Sequence, residues 1–129
     1  MKPNNSTSTE EMQALSFSIL GEPASKANSR KMVYIRGKPM FIKSEKALGY
    51  SKTFKQQVDA NAAVVMFEGD VAVHMTIHYA SRRPDLDESL ILDLLQGVAY
   101  ENDRQVKEKH IYWGLDKENP RTEIRVEKL

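Results

Sequence analysis

The sequence contains no cysteine among its 129 residues. Disulfide bridges and thiolate metal sites are therefore excluded. It also lacks a run of about 18 apolar residues, the length that a membrane-spanning helix needs. The first 14 residues are polar, without the apolar centre of a signal peptide. Together these absences predict a cytoplasmic protein that works in a reducing compartment and has no membrane partner.

Several catalytic patterns are missing as well. The chain has no phosphate-loop glycine pattern and no Gly-x-Ser-x-Gly motif, and without cysteine it has no thiol nucleophile. It contains three histidines. Two of them, His74 and His78, fall on a predicted strand, where four residues span about 13 Å and cannot chelate one ion. These exclusions leave the carboxylates as the candidate catalytic groups.

Charge is distributed unevenly, although the net charge is only +1. Residues 1–56 hold ten Lys and Arg against four Asp and Glu, a net +6. Residues 57–129 hold nine against fourteen, a net −5. This asymmetry predicts a basic surface and an acidic site on one molecule. An accidental distribution of surface charge is the alternative.

The hydrophobic pattern predicts a small α+β domain in which helices pack against a mixed sheet. We expect a disordered tail at residues 1–14 and one folded domain at 15–129. Ser44 is a predicted helix cap, and four apolar residues follow it near helical spacing: Leu48, Phe54, Val58 and Ala62. The predicted elements are strands at 15–20, 32–35 and 40–42, a helix at 45–65, a strand at 71–79, a short helix at 86–98, and strands at 106–115 and 122–126.

Three carboxylates stand out near the short helix. Asp85 and Asp87 are two residues apart, so in an extended segment both side chains leave on the same side, roughly 6–7 Å apart. Such a pair suits Mg²⁺, which accepts one or two carboxylates together with water and phosphate oxygens. Asp103 could return to them, since five extended residues span up to about 17 Å. Alternatively, Asp85 and Glu88 form a helix cap and Asp103 is a turn residue.

The segment RPDLD, followed by LDLLQGVAYENDRQV, resembles the core signature of the RusA family of Holliday junction resolvases. The resemblance implies a homodimeric, Mg²⁺-dependent endodeoxyribonuclease, with Mn²⁺ as a substitute. Such an enzyme resolves four-way DNA junctions by paired symmetric nicks in recombination and repair. On this interpretation Asp85, Asp87 and Asp103 hold the metal and activate water, and Asp93 matches a further family position that supports the site.

The sequence departs from the family pattern at three positions. Glu88 replaces an asparagine, Asn102 replaces the first of two paired acids, and Ile91 stands where the family has a lysine. Since a nuclease needs a cation near the developing charge, we expect Lys26 to supply it from a basic loop that also resembles the family. Two alternatives stay open: a non-catalytic protein that binds branched DNA, and a metal-dependent nuclease for other branched DNA such as flaps.

Cationic side chains cluster in the first loop, in the predicted hairpin and beside the acids. Lysine and arginine neutralise DNA phosphates and fix the orientation of a protein on its substrate. We therefore expect DNA contacts from Lys26, Arg30, Lys31, Arg36, Lys38, Arg82, Arg83, Arg104 and Lys107.

Overall fold

The computed structural model describes residues 13–25, 28–61 and 63–129. Most of the expected N-terminal tail, residues 1–12, lies outside the described residues, and so do Lys26 and Ala62. The elements are β1 (Ala14–Leu20), β2 (Arg30–Ile35), β3 (Lys38–Lys43), α1 (Glu45–Ala60), β4 (Val71–Tyr79), α2 (Ser89–Leu95), a 3₁₀ turn (Asp103–Gln105), β5 (Val106–Leu115) and β6 (Arg121–Lys128).

Four of the strands form one mixed sheet in the order β1-β6-β4-β5. The pairing of β4 with β5 is parallel, and the pairings of β6 with β1 and β4 are antiparallel. The predicted α+β fold with a mixed sheet is confirmed. Strands β2 and β3 form a separate antiparallel hairpin, which confirms the hairpin that the sequence predicted.

The core lies between the sheet and the two helices. Alternate residues of β4, from Val71 to Tyr79, are buried, as period-two patterning requires. Phe54 of α1 is fully buried and contacts the Phe17 ring edge-on, with centroids 6.4 Å apart. Leu95 of α2 belongs to the same buried cluster. The sheet and helices are therefore held by one continuous apolar core.

Helix α1 begins as predicted and ends earlier. The Ser44 hydroxyl oxygen accepts a hydrogen bond from the Ala47 amide at 3.1 Å, so the predicted cap is confirmed. The predicted end near residue 65 is wrong, because Val65 donates its amide to the Val98 carbonyl at 2.9 Å. Leu48 has the helical spacing of Phe54 and Val58, but 53% of it is exposed.

Helix α2 has seven residues, fewer than the predicted span of 86–98. An Asp87 carboxylate oxygen accepts from the Ser89 amide at 3.0 Å and so starts the helix late. The helix ends at Leu95, its C-cap Gln96 has an extended backbone, and Gly97 follows with a φ of 88°. Among the described residues, no helix is long and apolar enough to cross a membrane.

Candidate functional site

The acidic loop, residues 81–88, follows β4 and is held against the sheet by two aromatic side chains. The Trp113 indole donates a hydrogen bond to the Pro84 carbonyl at 3.0 Å. The Tyr79 hydroxyl accepts one from the Asp87 amide at 3.2 Å. The two rings stack with centroids 5.9 Å apart. Through these contacts Trp113 anchors the acidic loop to the sheet.

The environment of Tyr79 keeps its hydroxyl protonated. Burial raises the pKa of the Tyr79 phenol, and the negative charges of Asp87, Glu22 and Glu88 raise it further, against a lowering by its bond to the Asp87 backbone. A protonated phenol can accept from the Asp87 amide and still donate elsewhere. Tyr79 therefore positions the acidic loop as a neutral group.

Asp85 and Asp87 line one cavity of about 530 Å³ between the acidic loop and the first loop of the chain. Asp85 is exposed, and Asp87 is half-buried. The same cavity is lined by Glu22, Lys46 and Arg83. The structure thus brings the predicted acid pair together with a further carboxylate and two cations.

Glu22 and Lys46 were not predicted from the sequence. A Glu22 carboxylate oxygen accepts a hydrogen bond from the Ala80 amide at 2.8 Å, at the end of β4. The other oxygen lies 3.7 Å from the Lys46 ammonium nitrogen. No sequence signal marks either residue. Glu22 reaches the cavity through its contact with Ala80, 58 positions away, and Lys46 reaches it through the orientation of α1.

The acid pair fits a hard divalent cation. Carboxylate oxygens are the ligands that Mg²⁺ prefers, and Mg²⁺ commonly binds to only one or two of them. Within the part of the chain that the structure describes, no three His, Asp or Glu side chains lie close enough to hold a metal by themselves. Water and substrate phosphate oxygens would therefore complete the coordination of an ion held by Asp85 and Asp87.

Asp103 lies near the opposite end of β5. It is three residues before Val106, where β5 begins, whereas the acidic loop is bonded to Trp113, seven residues further along β5. Seven strand residues span about 23 Å. Asp103 therefore stays a predicted ligand, and it is not gathered with Asp85 and Asp87 in this structure.

Neighbouring residues hold Asp103 in its 3₁₀ turn. Its amide donates to the Gln96 side chain at 3.1 Å. The Gln105 side chain donates to the carbonyls of Phe67 and Gly69 at 2.9 and 2.8 Å. It also accepts from the amide of Asn102 at 3.1 Å. The glutamine of the sequence signature thus has a structural role here.

The helix-cap alternative for Asp85 is wrong. The cap residue of α2 is Glu88, and its side chain makes no capping hydrogen bond. The carboxylate that accepts from the first helical amide belongs to Asp87. Instead, Glu88 accepts from the Lys109 ammonium at 3.1 Å. Asp85 therefore has no helix-capping role that competes with a role in the cavity.

His74 and His110 make contacts within the sheet. His74 contacts the Glu127 carboxylate at 2.9 Å and stacks on His110, with ring centroids 4.5 Å apart. The hydrogen bond from His74 is the main cause of a lowered pKa of the Glu127 carboxyl. Neither ring lines the cavity that contains the acid pair.

Ile91 is fully buried, as expected for a residue that packs in the core, so α2 offers no cation at the family's lysine position. Lys46 is the lysine that lines the cavity among the described residues. Asp93, expected to support the site, is exposed and lines a separate cavity of about 520 Å³ with Arg30 and Lys43.

The predicted DNA-binding cations that the structure describes are all exposed. Arg83 lines the acidic cavity. Within the described ranges, neither Arg82 nor Arg83 forms an ion pair, so their charges are not neutralised by the adjacent acids. Lys31 forms an exposed ion pair with Glu45 at 3.4 Å. The others are Arg30, Arg36, Lys38, Arg104 and Lys107.

A family model described as Endodeoxyribonuclease RusA matches residues 21–127, which is most of the chain. The chain belongs to the RusA family. The resemblance seen in the acidic stretch is thereby confirmed, and the chain is an endodeoxyribonuclease, a hydrolase that acts on DNA junctions. RusA nucleases generally depend on a divalent metal. A search of the curated proteins gives no significant match.

Proposed function

We propose that this RusA-family enzyme uses Mg²⁺ to resolve four-way DNA junctions, and that it does so as a homodimer. One observation carries the proposal: Asp85 and Asp87 line the same cavity as Lys46 and Arg83. Acids for a metal and cations for phosphate are thus present at one place. Mn²⁺ has similar ligand preferences and would substitute for Mg²⁺.

The reaction is hydrolysis of a phosphodiester, which builds negative charge on the phosphoryl oxygens. A divalent ion, when bound, would polarise the phosphate and lower the pKa of a bound water. Asp85 and Asp87 would hold that ion, and Asp103, at the family's later acid position, stays a proposed third ligand although it lies near the other end of β5 in this structure. Lys46 faces the cavity and offsets the developing charge, the role that Ile91 cannot fill. Arg83 contacts a substrate phosphate and orients the strand.

Lys26 stays a proposed catalytic cation of the first loop. It is close in sequence to Glu22 and Ser25, both of which line the acidic cavity. Alanine variants of Lys26 and Lys46 would show which of the two supplies the catalytic cation.

Junction resolution requires two nicks placed symmetrically on opposing strands. A two-fold homodimer presents two equivalent sites related by its axis, which matches the symmetry of a four-way junction. One cavity in each protomer supplies one nick. A homodimer is therefore the oligomeric state that the proposed reaction needs.

A cleavage assay on synthetic DNA tests the proposal. The substrates are a four-way junction, a flap and a linear duplex of the same arm sequence, each with Mg²⁺, Mn²⁺, Ca²⁺ or EDTA. We expect symmetric nicks in the junction with Mg²⁺ or Mn²⁺, and little cleavage of the duplex. If the flap is cut as fast as the junction or faster, the flap and not the four-way junction is the preferred substrate.

A second function, junction binding without catalysis, is favoured by one observation. Ile91 is buried where the family has its lysine, so the usual transition-state cation is absent. Tight, structure-selective binding of the junction without nicking in any of the divalent metals would establish this function. Asp85→Asn and Asp87→Asn would then leave the protein's behaviour unchanged, whereas both abolish nicking if the enzyme is active.

A further inference from the structure

The hairpin arm, residues 30–43, exposes an unusual amount of apolar surface. Contiguous exposed apolar groups on a soluble protein normally mark an interaction site. The arm also carries five Lys and Arg residues and no Asp or Glu. Its exposed large hydrophobic residues are Met32, Tyr34, Ile35, Met40, Phe41 and Ile42, at 39% to 69%.

The strand register sorts these side chains onto two faces. Met32 is paired with Phe41, and Tyr34 with Pro39, and paired residues in an antiparallel ladder project to the same side. This side, the aromatic face, therefore carries both rings of the arm. Tyr34 is 68% exposed and Phe41 69%, the two largest values among the exposed large hydrophobic residues.

Cations border the aromatic face at its base. Arg30 is paired with Lys43 in the same register and projects to the same side as Phe41. These three residues line a cavity of about 520 Å³ together with Ser89 and Leu90. Both of the latter begin α2, which starts two residues after Asp87. The aromatic face is therefore continuous with a surface that leads to the acidic loop.

The charge of the arm identifies its partner as a polyanion. A second copy of the arm would bring five further cations against the first five, which opposes self-association through this surface. Aromatic rings bordered by lysine and arginine form the surface on which proteins stack unpaired bases. Paired bases in a duplex do not offer their ring faces, whereas bases at an opened branch point do.

We infer that the aromatic face of the hairpin arm binds unpaired bases at the branch point of the DNA, with Tyr34 and Phe41 stacking on them. The inference rests on the proposed function in taking branched DNA as the substrate. It adds a base-contacting surface to the backbone contacts of the cations, and it explains why the arm projects rings into solvent.

Binding measurements test the inference in Ca²⁺, without cleavage, on a four-way junction and a linear duplex. The junction carries 2-aminopurine beside the branch point, a base whose fluorescence reports its stacking. The variants are Tyr34→Ala, Phe41→Ala, and a matched pair, Tyr34→Leu and Phe41→Leu, that keeps apolar bulk without a ring. Tyr112→Ala is the control, since Tyr112 is an exposed tyrosine of β5, at 59%, outside the arm.

We expect each alanine variant to weaken junction binding about 5- to 100-fold, with less than about a 3-fold loss on the duplex. The leucine variants should lose nearly as much, and the 2-aminopurine signal should change only when the rings are present. The Tyr112→Ala control should bind like the wild type.

Three results would overturn the inference. They are equal losses on junction and duplex, full binding by the leucine variants, and dissociation of a dimer by the alanine variants in sedimentation. The last would assign the face to a second copy of the chain. Wild-type nicking in Mg²⁺ is scored separately, so its failure removes the proposed resolvase activity and leaves the stacking result standing.

Discussion

The Lys46 ammonium lies 3.7 Å from the Glu22 carboxylate, and both side chains line the cavity that contains Asp85 and Asp87. Glu22 is fixed by its hydrogen bond from the Ala80 amide, so it draws Lys46 toward the acids. About half of the Lys46 side chain is exposed. An ion pair so exposed adds little stability. A functional role is therefore separable from a structural one.

Lys46→Ala should lower the single-turnover cleavage rate about 100-fold, because it removes a cation aimed at the developing charge. The dissociation constant for the junction should change far less, which marks a transition-state contact. Lys46→Arg should recover part of the rate. Lys52→Ala, at an exposed position of the same helix, is the control. If Lys26→Ala gives this rate loss and Lys46→Ala does not, the catalytic cation is Lys26.

Asp85→Asn and Asp103→Asn test separately the roles of two acids that lie near opposite ends of β5. Asp85→Asn should abolish nicking and also weaken Mn²⁺ binding to the free protein, measured by titration calorimetry. Asp103→Asn should lower nicking by orders of magnitude if Asp103 joins the site in the DNA complex. Its Mn²⁺ affinity without DNA should stay near the wild-type value, since Asp103 is not gathered with the pair. Undiminished nicking by Asp103→Asn would remove it from the mechanism.

Trp113→Phe removes the indole that donates to Pro84 and leaves a ring to stack on Tyr79. Loss of one such bond should lower the free energy of unfolding by about 1 kcal/mol. The cleavage rate should fall about 10-fold or more, because a misplaced acid pair is costly to catalysis. The matched control is Tyr112→Phe, which removes an exposed hydroxyl from the neighbouring position. A variant with full activity would show that the acidic loop holds its shape without this bond.

Neutralising Arg36 and Lys38 together tests the backbone contacts of the hairpin arm. Each phosphate contact contributes about 0.9 to the slope of log affinity against log salt concentration on B-form DNA. The double alanine variant should therefore flatten the slope by about 1.8. Binding isotherms at several salt concentrations measure it. An unchanged slope would place the DNA on another face of the protein.

Asp116→Asn tests the turn between β5 and β6 through its pH dependence. Hydrogen bonds from the Asn119 amide and from Arg121 lower the pKa of the Asp116 carboxyl. A carboxyl whose pKa is lower in the folded state than in the unfolded state stabilises the fold at pH values above its unfolded pKa of about 3.9. This contribution is lost as the pH falls through the folded pKa. The urea midpoint of Asp116→Asn should therefore lie below wild type at neutral pH. The difference should vanish near pH 2. A constant difference would assign the effect to the changed shape instead.

The strands and the start of α1 could be predicted because their causes are local. The alternation from Val71 to Tyr79 is a property of adjacent residues, and so is the Ser44 cap. The end of α1 could not be predicted, since the amides after it bond to a segment more than 30 residues away. Leu48 had suitable spacing for the core, but the orientation of the helix leaves it exposed.

The sequence by itself determined the chemistry of this protein. The order and spacing of Asp85, Asp87 and Asp103 indicate the RusA family, and the uneven distribution of charge predicted separate acidic and basic surfaces. Only the tertiary structure decided which groups share one cavity. Glu22 and Lys46 join the acid pair through contacts between elements distant in sequence, whereas Asp103 lies near the other end of β5. The physical reason is that residue types fix what a group can do, while long-range packing fixes which groups meet.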